Sequence, residues 1–90
     1  MAQTDRYVLD PNAGRYLTAE YHRLGTTPRG WPFYRVTLTT DTGRQLELGT
    51  VTNIGGLWES SATAKIYRGG TTDTRRESTR ELLRELGYLA

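Results

Sequence analysis

Across the middle of the chain, apolar and polar side chains alternate with a period of two. Tyr34, Val36 and Leu38 are interleaved with Arg35, Thr37 and Thr39, and Trp58, Ala62, Ala64 and Ile66 with Glu59, Ser61, Thr63, Lys65 and Tyr67. Successive side chains leave opposite faces of a strand, so each run predicts a strand with one face in a core and the other toward water. Leu46 and Leu48 continue the apolar face in "RQLELGTV", but Val51 falls on the wrong side. A bulge at Gly49 corrects this, because one extra residue resets the alternation and a residue without Cβ admits it easily. Small Ala62 and Ala64 would leave room for a helix to lie close beneath the sheet.

Turn chemistry separates these runs. "DPNAG" (Asp10 to Gly14) predicts a turn joining Tyr7–Leu9 to Tyr16–Arg23, with Pro at a position of fixed φ and Gly14 free to take φ > 0. "DTG" (Asp41 to Gly43) divides "FYRVTLTT" from "RQLELGTV", "NIGG" (Asn53 to Gly56) precedes a strand over Leu57 to Tyr67, and "RGG" (Arg68 to Gly70) closes that strand. "GTTPRGWP" (Gly25 to Pro32) reads as a loop. The segment Pro11 to Leu24 also fits a helix, with Asp10 as N-cap and Ala13, Leu17, Tyr21 and Leu24 on one face. Strands are preferred, since Gly14 would cost about 1 kcal/mol inside a helix and Tyr and Thr favour a pleated surface.

The period changes at the C-terminus. In "TDTRRESTRELLRELGY" (Thr72 to Tyr88), Thr79, Leu82, Leu83 and Leu86 share one face at spacings of three and four. Thr74 and Glu77 form a capping-box pattern and Gly87 is a stop, which predicts a helix over Arg75 to Leu86. The expected fold is therefore α+β: a twisted antiparallel β-sheet of about five strands backed by one C-terminal α-helix, in a single domain spanning 1–90.

Composition narrows the classes. Ninety residues with 36% hydrophobic and 10% aromatic content suit one modest folded core rather than a disordered tail. Without cysteine there is neither a disulfide framework nor a thiolate zinc site, a composition at home in a reducing cytoplasm. No window nears the roughly 18 consecutive apolar residues of a membrane span, and "MAQTDRYVLD" does not read as an export signal. His22 is the lone histidine, and no serine, glycine-rich or metal-ligand motif places a nucleophile beside a base, so neither enzyme, cofactor nor metal is expected.

Charge gives the only lean towards function. The net charge is +2, with Lys65 the one lysine among twelve basic residues. Arginine suits phosphate and guanine, although a high-GC genome also writes Arg for Lys throughout. Arg76, Arg80 and Arg84 form one row along the helix beside a row of Glu77, Glu81 and Glu85, as on a self-paired solvated face. Arg75 and Arg76, however, oppose the macrodipole at the helix start, where they and the free N–H groups could cradle a phosphate.

A sheet followed by one helix, with "LGTV" (Leu48 to Val51) at a strand end and "TDTRRESTRELL" (Thr72 to Leu83) as the capped helix, resembles two groups of small DNA-binding domains. These are the plant ethylene-response-factor type and the arm-binding N-terminal domains of integrases. They differ from this chain in that no strand like Leu57 to Tyr67 separates the two motifs in the plant family. The resemblance implies that the exposed sheet face enters the major groove, placing Arg35, Thr37, Thr39, Gln45, Ser61, Thr63, Lys65 and Tyr67 against DNA; Arg75 and Arg76, from the helix-start argument, and Arg80 in the arginine row are the helix's candidate nucleic-acid contacts. Glu47 and Glu59 on the same face count against it. The sequence thus predicts a small accessory nucleic-acid-binding protein, duplex DNA favoured, of the kind encoded by phage and mobile elements. The rival is a protein-interaction module or homodimer acting through Arg29, Trp31 and a sheet edge, since Trp and Arg dominate binding hot spots.

Overall fold

The computed structural model describes residues 3–89. Five antiparallel strands, β1 (Gln3–Asp10), β2 (Arg15–Thr26), β3 (Pro32–Thr40), β4 (Gln45–Ile54) and β5 (Leu57–Ala62), follow one another in a meander curled into a half-barrel. One helix, α1 (Arg75–Glu85), lies across one face. The helix reading of Pro11 to Leu24 is overturned. Gly14 takes φ +66°, and Asp10 Oδ1 accepts from the N–H groups of Asn12 (3.0 Å) and Ala13 (3.3 Å), so the local chemistry closes a turn between β1 and β2. The loop expected from Gly25 is also shorter, because β2 continues past an irregularity at Leu24 to pair Gly25 with Phe33 and Thr26 with Pro32.

Register sorts the two faces. Tyr7, Leu17, Ala19, Tyr21, Val36, Leu38, Leu48 and Val51 are buried against Leu82 and Leu83 of α1. The expected bulge is present: Gly49 pairs with Val36 and Glu47 with Thr37, leaving Leu48 as the extra residue. Gly49 is needed for a further reason, since a Cβ there would run into the carbonyl oxygen of Ser61 on β5.

The last strand is shorter than its alternation suggests. It ends at Ala62; Ala64 is exposed and Ile66 is fully exposed, so neither lies beneath the sheet. Residues 63–66 turn, and residues 67–72 run back along the outer edge of β5. The Ala62 N–H donates to Tyr67 O (3.3 Å), the Gly69 N–H to Ser60 O (2.8 Å), and Trp58 and Thr72 exchange two backbone bonds of 2.8 Å. Pairing of edge N–H and C=O groups wins over continued alternation, because an uncovered edge would leave them to solvent. Thr63, Lys65 and Tyr67 therefore do not extend the outward sheet face, and Arg68 and Gly69 belong to the return rather than to a closing turn.

α1 is fixed at both ends by local chemistry. Thr74 Oγ1 accepts the Glu77 N–H (3.1 Å). The helix stops one residue before the predicted Leu86, which is the C-cap: Gly87, at φ +85°, donates to Arg84 O (3.1 Å) and Tyr88 to Leu83 O (2.8 Å), the paired bonds of a Schellman ending.

The backbone collision at Gly49 makes it the most sensitive glycine of the sheet. Gly49→Ala is expected to lower unfolding free energy in urea by about 3 kcal/mol, at the upper end for overpacking because a backbone oxygen cannot swing aside. Gly43→Ala, strained only by its φ of +86° with open space around it, is expected to lose about 1 kcal/mol. Equal losses would contradict the close approach of β4 and β5.

Candidate interaction surface

The arginines at the start of α1 meet the protein itself. Arg75 reaches from the first turn of α1 to β1, where its Nε donates to Asp5 Oδ2 (3.1 Å) and Nη1 donates to Gln3 Oε1. Its guanidinium also stacks 4.1 Å from the ring centre of Tyr21. Asp5 Oδ2 accepts a second bond from the Tyr21 hydroxyl (2.9 Å), which lies 2.7 Å from Thr79 Oγ1, and Thr79 donates back to Arg75 O (3.0 Å). Beside this network the Tyr7 hydroxyl donates to Arg76 O (2.9 Å), with Arg76 and Arg80 stacked over the Tyr7 ring at 4.6 and 5.6 Å. Arg80 also faces Glu77 at 3.7 Å.

Burial raises the Tyr7 phenol's pKa and pushes that of Tyr21 well beyond the ordinary tyrosine range. Tyr67 shifts the same way, first through loss of water and then through the nearby carboxylates Glu81 and Glu85. It sits on the helix side of β5, packed against the core. Lys65 pairs with Glu85 (2.7 Å) at the far end of the helix.

The predicted nucleic-acid residues therefore fall into three places. Arg75, Arg76 and Arg80 lie between the helix start and the β1–β2 half of the sheet. Thr63, Lys65 and Tyr67 lie in the return after β5. Only Arg35, Thr37, Thr39, Gln45 and Ser61 stand together, on the face turned away from the helix, where Thr39 pairs directly with Gln45. By register that face also carries Arg6, Thr18, Glu20, His22, Glu47, Thr50 and Glu59. Along the strands two guanidinium groups, Arg6 and Arg35, stand among three carboxylates, of which Glu59 is bonded by Arg68, so positive and negative groups are interleaved. Arg6 is stacked 4.2 Å over Tyr16 and His22 lies 3.7 Å from Glu20, while Thr50 and Ser61 bond each other at 2.8 Å.

A cleft of about 320 Å³ opens at one end of the same face. Its walls are Thr27, Pro28, Arg29 and Trp31 from the β2–β3 connection, Thr52, Ile54 and Glu59 from the sheet, and Arg68 from the return segment. The connection is held by its own hydrogen bonds: Thr27 N–H to Trp31 O (2.8 Å), Gly30 N–H to Thr27 O (2.8 Å) and Trp31 N–H to Thr27 Oγ1 (3.2 Å). Trp31 is half-buried, and the Arg29 guanidinium lies 5.7 Å from its ring centre. Arg68 Nε donates to Glu59 Oε1.

No protein-family model, curated protein or solved structure matches this chain. Function must be read from the geometry alone.

Sequence reasoning placed Arg29 and Trp31 at a partner site but missed Arg68, Thr52 and Ile54. Thr52 and Ile54 carried a faint signal in their alternation toward the polar face; Arg68 carried none, because only the backward run of residues 67–72 brings it to Glu59. A second cleft of about 340 Å³ lies between the C-terminal end of α1 and the two hairpin turns, lined by Leu9, Arg15, Asp41, Arg44 and Tyr88 among others, with Arg15 bonded to Asp41 at 3.2 Å. The sheet edges differ as well. β5 is covered by the return, whereas β1 is the edge left open among the described residues, irregular at Leu9 and exposing Val8.

The buried phenols set an alkaline limit on stability. Below pH of about 10 tyrosines are neutral in both states; above it the unfolded chain ionises while the folded sites resist, so stability is full below that pH and falls as pH rises through the elevated folded values. Tyr21→Phe is expected to lose about 1 kcal/mol at neutral pH, from its hydrogen bonds, yet to show a smaller further loss between about pH 9 and about pH 11. Urea midpoints at the two pH values measure this, and an unchanged alkaline loss would contradict the buried state of the Tyr21 hydroxyl.

Proposed function

We propose that this chain is a protein-interaction module that holds a segment of a partner protein in the Trp31 cleft. The observation that carries this reading is the cleft itself: a mostly apolar hollow on a hydrogen-bonded loop, with an aromatic wall and a few convergent polar groups. Binding sites generally combine these features, and Trp and Arg are the residue types that concentrate binding energy. The open β1 edge offers a second place for backbone pairing, consistent with a sheet edge contributing to the same role.

Duplex DNA is the second reading, favoured by Arg35, Thr37, Thr39 and Gln45 standing side by side, where hydroxyl and amide groups could bond base edges. It is the weaker one, because Arg75 is already bonded to Asp5 and Gln3 and the open face carries three carboxylates.

The two readings separate cleanly. A partner captured from a lysate of the source cell is expected to survive nuclease treatment and to be lost with Trp31→Ala, while duplex DNA is expected to show no mobility shift even at low salt. A shift that weakens steeply with salt, and whose salt dependence flattens with Arg35→Ala, would favour the nucleic-acid reading instead.

A further inference from the structure

The charge and packing of the Trp31 cleft specify more than a generic docking place. Arg29 meets no carboxylate among the described residues, and its one close partner is the π-face of Trp31. At 5.7 Å from the ring centre the guanidinium is attracted to the Trp31 π-system without a hydrogen bond to it, which leaves its N–H groups able to fork onto a carboxylate. Arg68, across the cleft, keeps 77% of its side chain exposed and is tied only through Nε to Glu59, itself 20% exposed at the floor. Two guanidinium groups against one carboxylate give the cleft a net positive charge, and Ile54, Pro28 and the Trp31 ring supply an apolar surface beside it.

We propose that the cleft selects acidic peptides, in which an apolar side chain packs against Trp31 and Ile54 while a neighbouring carboxylate bonds Arg29 and Arg68; this rests on the interaction reading above and names the partner's chemistry. Glu59 then acts as an internal competitor that holds Arg68 until the ligand carboxylate arrives. A nucleic acid strand fits less well, because Glu59 in the cleft wall repels dense phosphate charge. A basic segment would bring like charge against both guanidinium groups.

The test uses the intact chain, fluorescently labelled, on an array of capped hexapeptides of varied sequence, followed by titration of the strongest binders. Peptides that place Asp or Glu next to an aromatic or aliphatic residue are expected to dominate. Arg29→Ala should weaken them about tenfold, the scale of one charge-assisted hydrogen-bonding group. Glu59→Gln should tighten them by roughly threefold, since the competitor for Arg68 is gone. A purely structural role for the Glu59–Arg68 pair predicts no gain. Trp31→Ala should abolish binding of every class; Trp31→Phe, which keeps an aromatic wall, serves where the alanine variant does not fold. If the array selects neutral or basic peptides that still depend on Trp31, the carboxylate proposal is overturned and the interaction reading stands. If no peptide binds, or only a single-stranded oligonucleotide does, both fall.

Discussion

Asp5 and Arg75 stand seventy positions apart in sequence, and the structure depends on their meeting. α1 lies closest to β4 and β5, so the β1–β2 half of the sheet is joined to it by side chains that reach farther. Tyr7 and Tyr21 span the gap. Their rings fill the space under the helix start and their hydroxyls end on Arg76 O, Asp5 and Thr79, so that large aromatic bodies are buried with their polar tips satisfied. Arg75 completes the arrangement by neutralising Asp5, whose side chain is only 16% exposed and would otherwise be a poorly solvated charge. This clamp acts with the Tyr7–Arg76 and Tyr21–Thr79 bonds to hold the first turn of α1 over the sheet.

The same clamp limits what the protein can offer a ligand. An arginine bonded to a carboxylate and an amide, and stacked on a buried ring, is no longer a free phosphate receiver. The positive charge that opposes the helix dipole at Arg75 and Arg76 is explained by the tyrosine rings beneath it and by Asp5, so an expected anion is not needed to account for it. Arg29 on its loop and Arg68 on the return segment lie outside this clamp, and both border one cleft. The proposed site accordingly lies on the face opposite the helix, at the end where the β2–β3 connection and the last edge meet.

Legibility in the sequence followed the range of the interactions. Asp10 with Gly14, Gly43, the bulge at Gly49 and the Thr74 cap were readable because each is settled by residues a few positions apart. The period of two located β3, β4 and β5, turn chemistry and strand propensity located β1 and β2, and the period near 3.6 located α1. Three things were not readable. The alternation from Trp58 to Tyr67 gave no hint that pairing with residues 67–72 would bend the chain after Ala62. The first strand was expected only over Tyr7–Leu9, and nothing local to Asp5 marks it as the partner of a helix seventy positions away. Half of the cleft was visible, through Trp31 and Arg29; the other half depends on the return that carries Arg68 back to Glu59, and no local pattern encodes that.

A double-mutant cycle on Asp5 and Arg75, read from urea unfolding free energies, tests most directly whether the helix arginine belongs to the fold. With Asp5→Asn, Arg75→Gln and the double variant, the account predicts a favourable coupling of about 1–2 kcal/mol that persists at high salt, as for a partly buried, hydrogen-bonded pair. A coupling near zero, or one erased by modest salt as for an exposed surface pair, would contradict it and return Arg75 to the pool of groups free to meet a ligand.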